Sequence, residues 1–177
     1  PITRKSDLTN IQSKNFPYGN LTTKDTNEFK YMFASPCPIY EPGDGGDFWN
    51  MSRSLFAAGF IKKEIAYNTF SYHLGPAGIM MGNAVNNLDG VVIAGGIGST
   101  DLQIDTINKL RPSFYIGTPS FLKLLIDKAN EKEIDIKSLK KGLVGAEPFP
   151  SSLREFFSEN EISVLQMYGI AEVGCIA

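Results

Sequence analysis

Short apolar runs and longer stretches with helical spacing follow one another along the chain. The apolar runs predict strands over residues 65–70, 90–94, 113–117, 142–146 and 163–167. Apolar residues that recur at helical spacing predict helices over 47–58, 76–88, 100–110 and 121–130. They predict another helix that starts at about residue 152. Strands that alternate along the chain with helices of this length indicate βαβ units. We therefore predict an α/β fold, a mostly parallel sheet with helices on both faces.

Short capping motifs in the sequence predict where several helices begin or end. Thr100-x-x-Gln103 has capping-box spacing, and Thr118-Pro119 combines an N-cap with proline at the first helical position. Gly59 is expected as a left-handed C-terminal cap, and Ser152-x-x-Glu155 is expected to open the last helix. The first helix is predicted to bury one face, made of Phe48, Met51, Leu55 and Phe56.

Residues 1–30 differ from the rest of the chain because they are rich in Asn, Thr and Lys and carry few apolar positions. We expect them to form an N-terminal arm that packs against the domain. Residues 31–177 are expected to form the α/β core.

Composition narrows the classes of function. Of 177 residues, 42% are hydrophobic and 20% charged, so a folded core is expected. Seventeen basic against nineteen acidic residues give a net charge of −2, which argues against a nucleic-acid partner. No apolar run approaches the roughly 18 residues of a membrane span, and the N-terminus does not have the order of a signal peptide, so we expect a cytoplasmic protein without a membrane partner.

The two cysteines, Cys37 and Cys175, lie far apart without CxxC spacing. They predict two free buried thiols rather than a disulfide framework or a zinc site. The chain starts without Met and ends without a helix cap or polar tail, so we expect it to be a fragment.

Four of the predicted strands lead into unusual loops, at residues 70–76, 94–100, 145–148 and 168–172. Ligands of parallel sheets bind at the carboxyl ends of strands, so all four loops should open on one face. Glycines allow the backbone to approach a ligand, and an acid at the rim can hold a metal. Taken alone, Gly95-Gly96-x-Gly98 is more typical of a tight turn than of a phosphate cradle, because it lacks GxGxxG spacing.

GAEP at 145–148 and YGxxE at 168–172 resemble motifs of the adenylate-forming acyl-CoA ligases, in particular of the phenylacetate-CoA ligase-like branch. The resemblance covers nearly the whole chain and includes segments 3–8, 16–19, 53–59, 101–112 and 118–120. It implies that the chain is part of the large N-terminal, AMP-binding domain, with the rest of that domain and the C-terminal lid domain missing.

The resemblance also implies a reaction. A carboxylate attacks the α-phosphorus of ATP to give an acyl-adenylate and pyrophosphate, and coenzyme A then takes the acyl group. The cofactors implied are ATP, Mg2+ and coenzyme A, and the partner is a small carboxylic acid, here expected to be aromatic. The 177 residues alone should be inactive, because the ribose-binding Asp and the catalytic Lys of the family would lie beyond them.

Site residues are implied by the same match. Glu172 would be catalytic and would bind the metal, with a helix N-terminal acid as the alternative. His73 would be catalytic beside the acyl carboxylate, with a purely structural histidine as the alternative. Tyr168 would offer a flat face to adenine, against ordinary packing at the sheet edge. The complete set of nucleotide-binding residues implied is Gly145, Ala146, Glu147, Pro148, Gln166, Tyr168, Gly169 and Ala171.

The acyl pocket implied by the match contains Phe70, Tyr72 and Gly75. Gly75 stands where the branch has Phe, so the pocket should be open at that wall. We therefore expect phenylacetate to bind poorly and a larger aryl acid to fit better, unless Met80 or Met81 fills the gap.

The sequence departs from the family pattern at residues 33–43, where a Ser-, Thr- and Gly-rich phosphate loop closed by Lys-Pro-Thr would stand. Prolines remove backbone N–H donors there, and the cationic Lys is absent. In addition, Ala171 replaces a Ser or Thr, and Gln166 replaces an Asp.

These departures leave two functions open. One is an acyl-CoA ligase with a modified phosphate loop, and the other is a non-catalytic nucleotide- or acyl-binding module that has lost the phosphate loop. A scaffold without a ligand is a third option, for which the sequence offers no positive feature. The sequence also leaves a homodimer open.

Overall fold

The computed structural model describes residues 2–36 and 38–177, so the predicted Cys37 thiol lies outside the described residues. Cys175 is free, as predicted, but only partly buried. In chain order the elements are α1 Leu8–Lys14, β1 Tyr31–Ser35, β2 Ile39–Gly43, α2 Ser52–Ala57, β3 Ile65–Asn68, α3 Ala77–Asn87, β4 Val91–Ala94, α4 Thr100–Leu110, β5 Phe114–Gly117, α5 Pro119–Glu131, β6 Lys141–Val144, α6 Ser151–Glu159, β7 Ser163–Gln166, β8 Gly169–Ile170 and β9 Gly174–Cys175.

The main sheet has five strands in the order β4-β3-β5-β6-β7, and all neighbouring strands are parallel. The predicted α/β class is therefore confirmed. From β3 the chain crosses to β4 on one side and then returns to β5 on the other side. Such a reversal of strand order opens a crevice at the carboxyl ends of the strands. Two antiparallel hairpins, β1–β2 and β8–β9, lie outside this sheet.

The core lies in two layers, one on each face of the sheet. The alternation of side chains along β5 shows this directly, because Phe114 and Ile116 belong to one apolar cluster and Tyr115 to the other. The first cluster includes Leu55 of α2 and several α3 residues, and the second includes residues of α4, α5 and α6. Burial on both faces explains why the central strands β3, β5 and β6 are mostly apolar, whereas the edge strands β4 and β7 contain only exposed and half-buried residues.

Some helix ends follow the sequence signals and others do not. Thr118 caps α5 through its side chain, and Gly59 adopts a φ of +83°, as predicted. The N-cap of α4 is Ser99 and not Thr100, because the Ser99 hydroxyl accepts the hydrogen bond from the Leu102 amide. In α6 the helix starts at Ser151, after Pro150, and no side chain caps it.

The predicted helix over 47–58 is shorter than expected, because the Asp47 carboxylate accepts a hydrogen bond from the Ser52 amide and α2 starts there. Met51 and Leu55 are buried as predicted, but Phe48 and Phe56 are exposed. Two of the four residues predicted for the buried face of this helix are therefore confirmed, and the other two predictions are wrong.

Residues of the N-terminal segment fold against the hairpin β1–β2. The Gln12 amide of α1 donates to the Tyr40 carbonyl at 2.7 Å and accepts from the Tyr40 amide at 2.9 Å. A side chain that satisfies both backbone groups of one strand residue acts as a short extra strand partner. Leu8 and Tyr18 bury their side chains in the same region.

None of the helices within residues 2–36 and 38–177 has the length and apolar character needed to span a membrane.

We predict that Leu122→Ala lowers the free energy of unfolding by about 2–5 kcal/mol, because Leu122 of α5 is fully buried and its loss leaves a cavity. Leu124→Ala is the matched control, since Leu124 lies on the same helix and is 41% exposed. That control should change stability by no more than about 0.5 kcal/mol. Chemical denaturation of both variants makes the comparison, and equal losses would contradict the assignment of the buried face.

Candidate active site

A cavity of about 600 Å³ lies at the carboxyl edge of the sheet. The loops after β3, β6 and β7 and the start of α3 form its walls. Eight of the residues predicted for the site line it: Phe70, Ala146, Glu147, Pro148, Gln166, Tyr168, Gly169 and Ala171. Three loops that are distant in sequence thus meet around one space, as the parallel strand order requires.

The loop after β6 is held by the neighbouring helix α5. Ala146 has a φ of +67°, which turns the chain sharply, and the Glu147 carboxylate accepts a 2.6 Å hydrogen bond from the Ser120 amide. That amide lies in the first turn of α5, where backbone donors have no partner within the helix and favour an anionic acceptor. Glu147 therefore fixes the loop while its neighbours face the cavity.

Tyr168 and Gln166 lie on the same side of the cavity. The Gln166 amide accepts from Arg154 at 3.3 Å and donates to the Glu147 carbonyl at 3.4 Å, so it joins two of the loops. Tyr168 is 62% exposed. A flat aromatic ring with a free face at the mouth of the cavity can stack on a planar ligand.

Five predicted site residues lie outside the cavity lining: Gly145, Tyr72, His73, Gly75 and Glu172. A Cβ at Gly145 would stand 3.1 Å from the Met167 Cγ, so Gly145 lies directly behind the wall. Tyr72 packs its ring against Gly78, and burial raises the pKa of its hydroxyl. The structure thus gives Tyr72 a packing partner behind the loop.

His73 and Gly75 lie on the outer part of the loop between β3 and α3. His73 is exposed, its amide donates to the Ser71 hydroxyl at 3.0 Å, and its carbonyl accepts from the Gly75 amide at 2.7 Å. A Cβ at Gly75 would approach only the His73 carbonyl, at 4.0 Å. A larger side chain at position 75 would therefore have room.

Asn68, at the end of β3, was missed as a site residue. Its side chain is fully buried and donates to the Tyr72 hydroxyl at 2.9 Å and to the Gly78 carbonyl at 3.0 Å. Its side-chain oxygen accepts from the Phe70 amide at 3.1 Å. The signal available in the sequence was a single amide side chain at the end of an apolar strand.

Methionines make up much of the apolar wall. Met51, Met80, Met81 and Met167 line the cavity, which is four of the five in the chain. Met51 and Met167 were not predicted, because they lie on different elements and nothing in the local sequence links them. Unbranched thioether side chains can adapt to ligands of different shape.

The hairpin β8–β9 forms one end of the cavity wall, and hydrogen bonds to Trp49 hold it in place. The indole N–H donates to the Ala171 carbonyl at 3.1 Å, and the Cys175 amide donates to the Trp49 carbonyl at 2.9 Å. Gly174 has a φ of +87°, and a Cβ there would overlap the Trp49 backbone. Glycine is therefore required for this contact.

Glu172 lies on the far side of the same hairpin. Its carboxylate forms an ion pair with Lys5 at 2.7 Å, and it lines a second cavity of about 230 Å³ between the N-terminal segment and β2. Ala171 lines both cavities. The 600 Å³ and 230 Å³ cavities are thus adjacent, and Glu172 belongs to the smaller.

The hairpin β1–β2, where the phosphate loop would stand, contains a buried acid. The Glu41 carboxylate accepts a 2.5 Å hydrogen bond from the Ser35 hydroxyl. Burial raises the pKa of the Glu41 carboxyl, the Ser35 hydrogen bond lowers it, and the nearby charge of Glu172 raises it again, so that the net shift is upward. Within the described residues, no three His, Cys, Asp or Glu side chains cluster as metal ligands.

Comparison with known proteins gives a consistent result. The model of the AMP-binding enzyme family matches residues 69–177. The chain is 27% identical over 184 aligned residues to a phenylacetate-coenzyme A ligase of Aromatoleum evansii, with 98% of this chain and 41% of that protein covered. The same enzyme of Escherichia coli (strain K12) gives the same identity and coverage. The chain thus spans about two fifths of the length of these curated relatives.

Solved structures share the fold. An open conformation of 2-hydroxyisobutyryl-CoA ligase, in complex with 2-HIB-AMP and CoA, superimposes with a TM-score of 0.86 over 97% of this chain and 43% of that chain, at 16% identity. A luciferase-like enzyme from the mealworm Zophobas morio gives a TM-score of 0.59 over 100% of this chain and 40% of that chain, at 17% identity.

We predict a specific pH dependence for Glu41→Gln. Because the pKa of Glu41 is raised above its ordinary value of 4.5, the stability that its protonated form contributes is fully present below pH 4.5 and is lost as pH rises through the folded-state pKa. Wild type should therefore lose stability relative to the variant as pH increases above 4.5. Denaturation at several pH values measures this difference, in which the titratable groups that do not interact with Glu41 cancel. A difference that moves in favour of wild type with rising pH would contradict the assignment.

Proposed function

Because the chain belongs to the family of AMP-binding enzymes, we propose that it forms part of an acyl-CoA ligase that adenylates a carboxylic acid with ATP and then transfers the acyl group to coenzyme A. Residues 31–177 would be the α/β core of the AMP-binding domain, and residues 1–30 an N-terminal arm. One observation carries the proposal: the 600 Å³ cavity unites seven of the eight expected nucleotide-binding residues with Phe70. The proposal includes a cytoplasmic location, where ATP and coenzyme A are available.

In the proposed complex, adenine stacks on the exposed Tyr168 ring, and the backbone of residues 145–148 surrounds the adenine and the acyl carbonyl. The support is the shared fold with 2-hydroxyisobutyryl-CoA ligase, whose structure contains 2-HIB-AMP and CoA. The rigid attachment of the loop through Glu147 suits this role, because a preformed site loses less entropy on binding.

The acyl group of the substrate would lie against Phe70 and the methionine wall. Apolar side chains there favour an apolar acid, and the curated relatives are named for phenylacetate. We therefore propose an aromatic carboxylic acid as substrate. In this proposal, His73 and Tyr72 reach its carboxylate only after a shift of the loop between β3 and α3, because neither residue lines the cavity in the structure.

Mg2+ would be held by Glu172. The Lys5 ammonium on this carboxylate is a stand-in for a cation, so the position fits a positive charge. When bound, Mg2+ neutralises charge on the phosphate oxygens that face the attacking carboxylate. Glu172 itself contributes a hard oxygen ligand of the type that Mg2+ prefers.

A second candidate function is a nucleotide- or acyl-binding module without catalysis. It is favoured by the buried Glu41 carboxyl in the hairpin β1–β2, because an acid there disfavours the β- and γ-phosphates of ATP. In that case the large cavity would bind an acyl-adenylate or an acid without turnover.

Acid-dependent exchange of pyrophosphate into ATP distinguishes the two candidates. The full-length protein is assayed with a panel of aryl acids, and we expect exchange with at least one of them. The 177-residue chain alone should show none. Binding of an acyl-adenylate analogue without any exchange by the full-length protein would favour the module.

Glu172→Gln tests the proposed metal ligand. Loss of the carboxylate should lower the Mg2+-dependent exchange rate by at least about tenfold, while the unfolding transition stays cooperative, since an exposed acid contributes little to the core. Glu155→Gln, on the exposed side of α6, is the control and should retain wild-type activity. Equal rates for wild type and Glu172→Gln would remove Glu172 from the metal site.

Gly75→Phe tests the acyl pocket. The added ring would supply on the order of 150–250 Å² of apolar contact area next to Pro76, which lines the cavity, and the structure leaves room for it. We expect catalytic efficiency to shift from a larger aryl acid toward phenylacetate. If the ratio of the two efficiencies does not change, Gly75 does not border the acyl group.

A further inference from the structure

Two different neighbours fix the orientation of the Gln166 amide in the wall of the large cavity. Its Oε1 atom accepts a hydrogen bond from the Arg154 guanidinium at 3.3 Å, and its Nε2 atom donates to the Glu147 carbonyl at 3.4 Å. If the amide turned over, its NH2 group would face the donors of Arg154 and its oxygen would face the Glu147 carbonyl. Both contacts would then be repulsive, so the two partners together select one orientation.

Arg154 lies on α6, outside the cavity lining, and Phe149 holds its guanidinium in place. The guanidinium carbon lies 4.2 Å from the centroid of the Phe149 ring, and the Nε atom donates to the Phe149 carbonyl at 3.2 Å. Phe149 is only 7% exposed, so the support under Arg154 belongs to the core. A planar guanidinium can stack on a ring and still direct its other donors in a fixed geometry. Arg154 therefore offers Gln166 a donor at a defined position.

We infer that Arg154 is a positioning residue, which sets the purine preference of the cavity through Gln166. An amide oxygen has two lone pairs, and Arg154 uses one of those on Oε1, so the other is left for a ligand of the exposed Gln166 side chain. The 6-amino group of adenine is a donor and matches this oxygen, whereas the 6-oxo group of hypoxanthine is an acceptor and is repelled by it. Arg154 thereby favours a 6-aminopurine without contact to the base.

The inference rests on the proposed function only in placing a purine nucleotide in the 600 Å³ cavity. The exposed ring of Tyr168 lines the same cavity as Gln166. A purine that stacks on an aromatic ring presents its edge to the polar side chains around it, and adenine and hypoxanthine differ at that edge. Nucleotide binding can be measured without turnover, so the failure of this inference and that of the ligase proposal can be told apart.

The experiment measures binding of ATP and of inosine triphosphate to the full-length protein by titration calorimetry, without an acid substrate. Inosine triphosphate has a 6-oxo group and an N1–H where ATP has a 6-amino group and a free N1. We expect wild type to bind ATP at least about fivefold more tightly than inosine triphosphate. Arg154→Met should lower this ratio to about one to two, because the amide can then turn over and donate to the 6-oxo group. Arg111→Met is the matched control and should keep the wild-type ratio, since Arg111 forms an exposed ion pair with Asp135 and does not line the cavity.

Gln166→Glu separates the orientation of the amide from a general disturbance of the site. A carboxylate has an acceptor at each end, so turning it over changes nothing for the base. The preference for ATP should therefore persist in Gln166→Glu, and adding Arg154→Met to this variant should change the ratio by less than about twofold. An unchanged ratio in Arg154→Met, or an equal loss in both backgrounds, would overturn the inference. Wild type that binds both nucleotides equally, or neither of them, would overturn it as well.

Discussion

The buried amide of Asn68 is the interaction on which the carboxyl edge of the sheet depends. Strands that end inside a protein leave backbone groups that water cannot reach, and these groups need internal partners. Asn68 serves the loop after β3 through the Phe70 amide and the first turn of α3 through the Gly78 carbonyl. Its own carbonyl accepts from Gly96, in the loop after β4. One side chain and its backbone thereby hold three segments in a fixed arrangement.

A second group of hydrogen bonds continues this arrangement into β5. The Thr69 hydroxyl lies 2.9 Å from the Tyr115 hydroxyl, which donates to the Thr118 carbonyl. Burial raises the pKa of Tyr115 strongly, so the phenol stays protonated and able to donate. These contacts between β3 and β5 are thus neutral hydrogen bonds within the protein, which salt affects less than surface ion pairs.

The sequence was sufficient to predict what depends on short-range pattern. Apolar runs located the five parallel strands, of which β3, β5 and β6 are mostly buried and β4 and β7 are edge strands without a buried residue. The motifs that follow the strands identified the loops around the cavity. Features that depend on distant contacts were not predictable. Ser99, and not Thr100, caps α4, and the buried Gln103 that was expected to complete the capping box instead donates its amide to the Gly96 carbonyl. The Lys5–Glu172 pair and the Trp49 contact to Ala171 join residues that lie more than 120 positions apart, and no local pattern encodes them.

Four thioether sulfurs in one cavity also give the protein a chemical sensitivity. Oxidation converts a thioether into a polar sulfoxide, which disrupts apolar packing. Met32 lies on an exposed strand position outside the cavity and therefore provides an internal reference for mass spectrometry of peroxide-treated protein. Met51, Met80 and Met81 are already buried, whereas Met167 is partly exposed, so a ligand that fills the cavity would shield Met167 but not Met32. Met167 is thus a built-in reporter of whether the cavity is occupied.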